Sequence, residues 1–328
     1  SCQVLKEVHQ ESELTMGFIT RYGSFWGVIP QTSGRIIWVA PAASYTVEGR
    51  SYTASNNNDG LSPERAVLTL DYAVGLTTAS VGDVIVLLPG THSWAASVAA
   101  DVAGITITGL ASGAGHKWRQ RASITTSAAD EIINVTAADV EISYLHVIPV
   151  TAQRGIDFTT AADRLHVHNC SFDMFTPVVN IATIGLGVTA VGQAPTGVLV
   201  TNCTFQSDGA QGVGVALGDT VMGVVEDCDF RLTAGSWAAA CGFEGVTSCN
   251  GVIRRNSFAA HQATMTIGII GGTDDGSSMR IQIYQNFFAS AEVVTPIDNF
   301  GTLNAGIAEN YRGGAGAAAG GVLWSSFT

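Results

Sequence analysis

Apolar and polar residues alternate in short runs, and the alternation breaks at the same place in each run. In "LHVHNCSF" (165–172), Leu165 and Val167 fall on one face of a strand while His166 and His168 fall on the other. Two polar residues in succession, His168 and Asn169, then shift the phase, and Phe172 returns to the apolar face. A break with Asn or Asp in second place, as at Asn169, Asn202 and Asp227, predicts a tight bend through the left-handed region. The unit is therefore strand, corner, strand.

The unit recurs. "VEISYLHV" (140–147), "LHVHNCSF" (165–172), "VLVTNCTF" (198–205), "GVVEDCDF" (223–230), "GVIRRNSF" (251–258), "IQIYQNFF" (281–288) and a shortened "GIAENY" (306–311) align on one position. That position holds Leu145, Cys170, Cys203, Cys228, Asn256, Asn286 and Asn310, with spacings of 25, 33, 25, 28, 30 and 24 residues. A floor near 25 with occasional additions predicts a coil of fixed circumference carrying loop insertions. Such units bury their apolar faces only by stacking, which sets equivalent residues about 4.8 Å apart. Two internal files follow. One runs Cys170, Cys203, Cys228 and then Asn256, Asn286, Asn310; the other is Phe172, Phe205, Phe230, Phe258 and Phe288. Both read as structural, with the asparagine amides bonding along the file.

Upstream, "GDVIVLLPGTH" (82–92) and "GITITGL" (104–110) alternate in the same way. Between the turn cluster "NNNDG" and these strands, Ser62, Pro63 and Glu64 read as the cap and first turn of a helix. Val67, Leu70, Ala73 and Val74 share one face of that helix, which would cover the first coil.

Together "NDGLSPERAVLTLDYAV", "GDVIVLLPGTH", "GITITGL" and the "NCSF"-type rungs resemble the pectate-lyase-like superfamily, and most of all phage virion proteins of the head-decoration or tailspike type. The resemblance spans roughly residues 50 to 312. It implies an all-β chain: a single-stranded, right-handed parallel β-helix with a short capping helix and a non-helical N-terminal segment. The expected layout is an attachment or cap segment over 1–50, the β-helix over 51–312 and a tail over 313–328. The superfamily hosts lyases, hydrolases, epimerases, adhesins and tailspikes, so the resemblance is specific for fold and not for function.

Composition narrows the function. Charged residues make up 13% of the chain and the formal net charge is −12, with no Lys/Arg run to neutralise phosphates, so no nucleic-acid partner is expected. No apolar run reaches the ~18–20 residues of a membrane span. The opening "SCQVLKEVHQ" lacks a basic stretch followed by an apolar core, which predicts no signal peptide. The six cysteines form no CxxC pair, so they read as buried free thiols rather than zinc ligands.

Enzymes of this superfamily set acids in outward rows on adjacent coils. The row after the interior position reads His146, Ser171, Thr204, Asp229, Ser257 and Phe287; the row before the bend reads His168, Thr201, Glu226, Arg254 and Tyr284. Each has one acid, and Glu226 with Arg254 reads as a surface ion pair. Asp274 and Asp275 lie in a turn signature. Asp157, Asp163 and Asp173 could converge, and His166 with His168 could hold a metal but lack a visible third ligand. No catalytic residue, cofactor or metal is therefore assigned.

Candidate interface residues lie at the ends and in one basic stretch. Tyr22, Phe25 and Trp26 either pack on the end of the coil or form an attachment surface. Trp324 and Phe327, with Val322 and Leu323, either close the last coil or cross to a neighbouring chain. Lys117, Trp118, Arg119 and Arg121, with His92 and His116, form a basic cluster that is either solvated or faces an acidic partner. The expected function is a structural protein of a bacteriophage virion, made in the host cytoplasm. It would be a homotrimer that decorates or cements the capsid through contacts with other virion proteins. The alternatives are a tailspike that binds or cleaves host surface polysaccharide, and a secreted polysaccharide lyase or hydrolase.

Overall fold

The seven rungs from Glu141 onward that the repeat defines fold as strand, corner, strand. His166–His168 turns through Asn169 and continues as Ser171–Asp173, and Leu199–Thr201 turns through Asn202 into Thr204–Ser207. The corner residue is left-handed in each of seven rungs: Tyr144, Asn169, Asn202, Asp227, Arg255, Gln285 and Glu309 have φ between 51° and 57°. A computed structural model describes residues 32–47, 49–110, 122–127, 131–149, 154–174, 183–188, 193–207, 212–233, 236–243, 249–260, 264–270, 280–289, 293–298, 306–312 and 321–322.

Successive rungs stack in parallel into three sheets, giving a right-handed parallel β-helix. The first sheet runs from Ile36–Val39 through Val84–Leu87, Thr106–Gly109, Glu141–Ser143 and on to Gly306–Ala308. The second starts at Gly90–Trp94 and ends at Tyr311–Arg312, against which Gly321–Val322 lies antiparallel. The third spans Val98–Ala100 to Val293–Asp298. Register is strict: Ile142, Val167, Val200, Val225, Ile253, Ile283 and Ile307 occupy one position on seven coils. A slip of one residue would turn every such side chain to solvent.

Two files run through the interior beside the first corner. The five phenylalanine rings stack with centroids 4.6, 5.1, 4.8 and 5.0 Å apart and planes within 15°. Their room comes from the third sheet, where a Cβ on Gly155, Gly185 or Gly214 would stand within 3.3 Å of Phe172, Phe205 or Phe230. In the other file Cys170, Cys203 and Cys228 are buried free thiols, followed by the fully buried Asn256, Asn286 and Asn310. Each thiol faces a carbonyl of the preceding coil at 3.7–3.8 Å, whereas the Asn amide nitrogens donate to the equivalent carbonyls at 2.9–3.0 Å.

The start of the coil is covered on two sides. The helix Leu70–Leu76 buries Leu70, Ala73 and Val74 against the first interior layer. Its cap is Thr69, whose hydroxyl accepts from Tyr72 N at 3.3 Å; Ser62 makes no capping bond, and Pro63–Arg65 is a separate 3-10 turn. The chain leaves that turn to bridge Val67 to Val39, so the helix begins later than the sequence suggests. Outside the first sheet, the hairpin of Ser44–Val47 and Arg50–Thr53 covers Trp38, Val84 and Val86 in a second, smaller core. Tyr45 locks it by donating to Pro63 O at 2.6 Å and accepting from Ala66 N. This explains why Val84–Leu87 is buried along its whole length. The first sheet's edge strand, Ile36–Val39, lies upstream of residue 50.

Candidate functional site

Because the coils are in register, outward side chains line up in rows, and the outer face of the first sheet carries a polar stripe. Its downstream half is a charged network. Glu226 accepts from Arg254 Nε at 2.5 Å and from Arg255 at 3.0 Å, while Asp227 takes Arg255 in two bonds of 2.8 and 2.9 Å. Arg255 holds the Asp227 carboxyl below the usual carboxylate range by hydrogen bonding to it. Arg254 reaches on to the next coil, donating to Tyr284 Oη at 2.9 Å. The expected Glu226–Arg254 pair is thus part of a larger chain of charges.

In the upstream half, His166 and His168 project from one strand with rings 4.3 Å apart. His168 Nε2 meets Glu141 at 3.0 Å, and His166 Nε2 meets Thr201 Oγ1 at 3.2 Å. Burial lowers the His166 pKa and the neighbouring His168 lowers it further, whereas the bond from His168 lowers that of Glu141. Both imidazoles have polar partners, and among the described residues no three His, Cys, Asp or Glu gather as a metal would require.

Beside the charged network lies an open groove of about 690 Å³ lined by Met222, Val224, Asn250, Val252, Arg280 and Gln282, with Gly223, Gly251 and Gly306. A register irregularity between Val221 and Gly223 sets one wall. It places Met222 in the left-handed region (φ 58°) and leaves it 63% exposed. Sequence reasoning did not find this groove; the glycines that open two successive rungs, Gly223 and Gly251, were its one visible sign. A Cβ on either would meet Phe243 inside the coil.

The remaining candidates separate. Asp157 is buried on the third sheet, Asp163 sits in a turn accepting from Thr196 N at 2.7 Å, and Asp173 is on the second sheet, so the three do not converge. Desolvation raises the Asp157 pKa to about 6 against the pull of Arg154. His92 is no part of a basic surface: it is 1% exposed, its Nε2 is 2.8 Å from Leu88 O, and burial lowers its pKa to about 4. Ser171, expected to face outward, is fully buried. Tyr22, Phe25, Trp26, Lys117, Trp118, Arg119, Arg121, Trp324 and Phe327, like Asp274 and Asp275, lie outside the described residues.

No protein-family model matches the chain, and no curated protein does. Solved structures match in fold. Pectin methylesterase from carrot aligns over 92% of this chain and 89% of its own, at 14% identity and a TM-score of 0.50. Alginate lyase from Paenibacillus sp. str. FPU-7 aligns over 74% of this chain and 92% of its own, at 16% identity and a TM-score of 0.50. Escherichia coli ybhc aligns over 88% and 87%, at 11% identity and the same score of 0.50. At these identities the likeness establishes the right-handed parallel β-helix fold and leaves activity open.

Proposed function

We propose that the chain is a structural component of a bacteriophage virion, a homotrimer of β-helices that decorates or cements the capsid. The observation that carries this reading is the state of the outward acids. Glu141 is paired with His168, Glu226 with Arg254 and Arg255, Asp227 with Arg255 and Asp229 with Arg231. Cleavage of a glycosidic bond by two carboxylates needs one to act as acid and the other as base or nucleophile. Carboxylates held by arginines, as Glu226, Asp227 and Asp229 are, serve a rigid surface better than proton transfer. The net charge of −12 favours a protein partner with a basic surface over nucleic acid.

A second reading is a tailspike or a secreted enzyme that engages polysaccharide. It is favoured by the groove, which has Tyr284 on the adjoining row, and by the fold-matched structures, which include a pectin methylesterase and an alginate lyase. Two experiments separate the readings. Light scattering at micromolar concentration should give three times the mass of one chain, and a clean monomer would contradict the virion assembly. Incubation with a panel of bacterial capsule and O-antigen polysaccharides should release no oligosaccharide; release would overturn the structural reading in favour of the second.

A further inference from the structure

On the outer face of the second sheet, three adjacent coils bring together a hydroxyl, an imidazole and a carboxylate. Ser123 lies on Ala122–Thr126, His146 on His146–Ile148 and Asp173 on Ser171–Asp173. Parallel register places Ser123 directly across from His146, with Asp173 two positions beyond Ser171 on the next coil. Ser123 Oγ is 3.2 Å from His146 Nδ1, and His146 Nε2 is 3.4 Å from Asp173 Oδ2. We infer that Ser123, His146 and Asp173 form a nucleophile–base–orienter relay for a short-chain carboxylic ester, an activity separate from the virion role.

The roles follow from the donor and acceptor inventory. A carboxylate only accepts, so Asp173 selects the tautomer with hydrogen on Nε2. Nδ1 then carries a lone pair directed at the Ser123 hydroxyl, as a general base requires. The side chains of His146 and Asp173 are 17% and 21% exposed, sheltered enough to strengthen the pair and open enough to meet a ligand. Among the described residues, Asp173 Oδ1 and the fully buried Ser171 Oγ have no hydrogen-bond partner. A purely structural polar ladder would satisfy both, because each buried unpaired group costs about 1–3 kcal/mol.

In the reaction, Ser123 Oγ bonds to the ester carbonyl carbon while its proton passes to His146 Nδ1. The carbon–oxygen bond to the leaving alcohol breaks, and that alcohol takes the proton from Nδ1. Water, deprotonated by the same nitrogen, then attacks the acyl-serine, releasing the carboxylic acid and restoring the Ser123 hydroxyl. Asp173 balances the transient imidazolium charge. Thr91, exposed and at the register position of Ser123 on the preceding coil, puts a hydroxyl donor for the carbonyl oxygen on the same outward row. Thr91 and Thr125 give this face short hydroxyl side chains, which suit a small polar acyl group rather than a long hydrocarbon one.

A fluorophosphonate probe on the full chain, followed by peptide mapping, tests the assignment. Wild type should carry the probe on Ser123. Ser123→Ala should abolish labelling, His146→Gln should slow it at least tenfold, and Asp173→Asn should slow it less. Ser257→Ala, a serine of the same outward row without a histidine beside it, should label as wild type does. Thermal melts of each variant separate lost chemistry from lost fold. An unlabelled but folded wild type, labelling at other residues alone, or equal labelling of a folded His146→Gln variant would overturn the relay.

Discussion

The upstream and downstream halves of one interior file meet the same structural demand with different chemistry. Upstream, Cys170, Cys203 and Cys228 each reach the preceding coil with a weak thiol donor at 3.7–3.8 Å. Downstream, Asn286 makes four bonds. Its Nδ2 donates to Ile253 O and to Asn310 Oδ1, while its Oδ1 accepts from Asn256 N and Asn256 Nδ2. The corner residues divide at the same boundary. Beside the thiols the left-handed residue is Asn169, Asn202 or Asp227, types that tolerate this conformation. Beside the amides it is Arg255, Gln285 or Glu309, which pay more for it. The Asn169 and Asn202 corners are therefore held by the preference of their own residue, the Arg255 and Gln285 corners by amide bonds from inside, and the Asp227 corner by both. Tyr144 with Leu145, at the head of the file, has neither device.

The largest expected effect breaks the amide half. Asn286→Leu leaves Ile253 O and Asn256 N without their partners inside the coil, so unfolding stability should fall by about 3–5 kcal/mol. Urea unfolding of the purified chain measures it, and a loss below about 1 kcal/mol would mean that the file carries no such bonds. Cys203→Ala, which removes one weak donor and a small volume, should cost clearly less.

Next in size is a pH effect confined to the upstream half. The Asp157 pKa is raised from 3.8 to about 6, so between those values the folded chain binds more proton than the unfolded one. Stability from this group is present below pH 3.8 and lost as pH rises through about 6. Asp157→Asn should therefore stabilise by roughly 2–3 kcal/mol at pH 7.5 and change little at pH 3.5. His92 runs the opposite way: its pKa falls from 6.5 to about 4, so its contribution is lost as pH drops through that window. Melting curves of wild type and Asp157→Asn across pH 3.5–7.5 read the crossover, and a pH-independent difference would contradict the buried carboxylate. The smallest effect concerns the corners. Asn202→Gln should cost about 1 kcal/mol, whereas Gln285→Asn should be neutral or mildly stabilising. Equal and opposite shifts from the two swaps would erase the distinction between halves.

The fold was legible where side chains alternate. The two-residue polar break at His168–Asn169 marks both the corner and the change of sheet, and the spacing of rungs carries the stacking. The third sheet was not legible. Its strands include Thr183–Val188, "TIGLGV", and Gly212–Ala216, "GVGVA", in which Gly185 and Gly214 make room for phenylalanine rings. Small residues selected by space leave no polar alternation to read. The outward rows were readable from rung alignment, but pairings across a row or a diagonal, such as His146 with Asp173, depend on side-chain reach. The groove depends on a bulge at Met222 that a regular repeat does not announce.

Thiol and amide occupy one position and answer one carbonyl file. Cys228→Asn tests it most directly. The new amide would lie between Cys203 and Asn256, with Val200 O as acceptor for its nitrogen and Cys203 N as donor to its oxygen. Urea unfolding should stay cooperative with stability unchanged or raised by about 0.5–1.5 kcal/mol. A loss of more than about 2 kcal/mol, the signature of a buried amide without partners, would contradict the account.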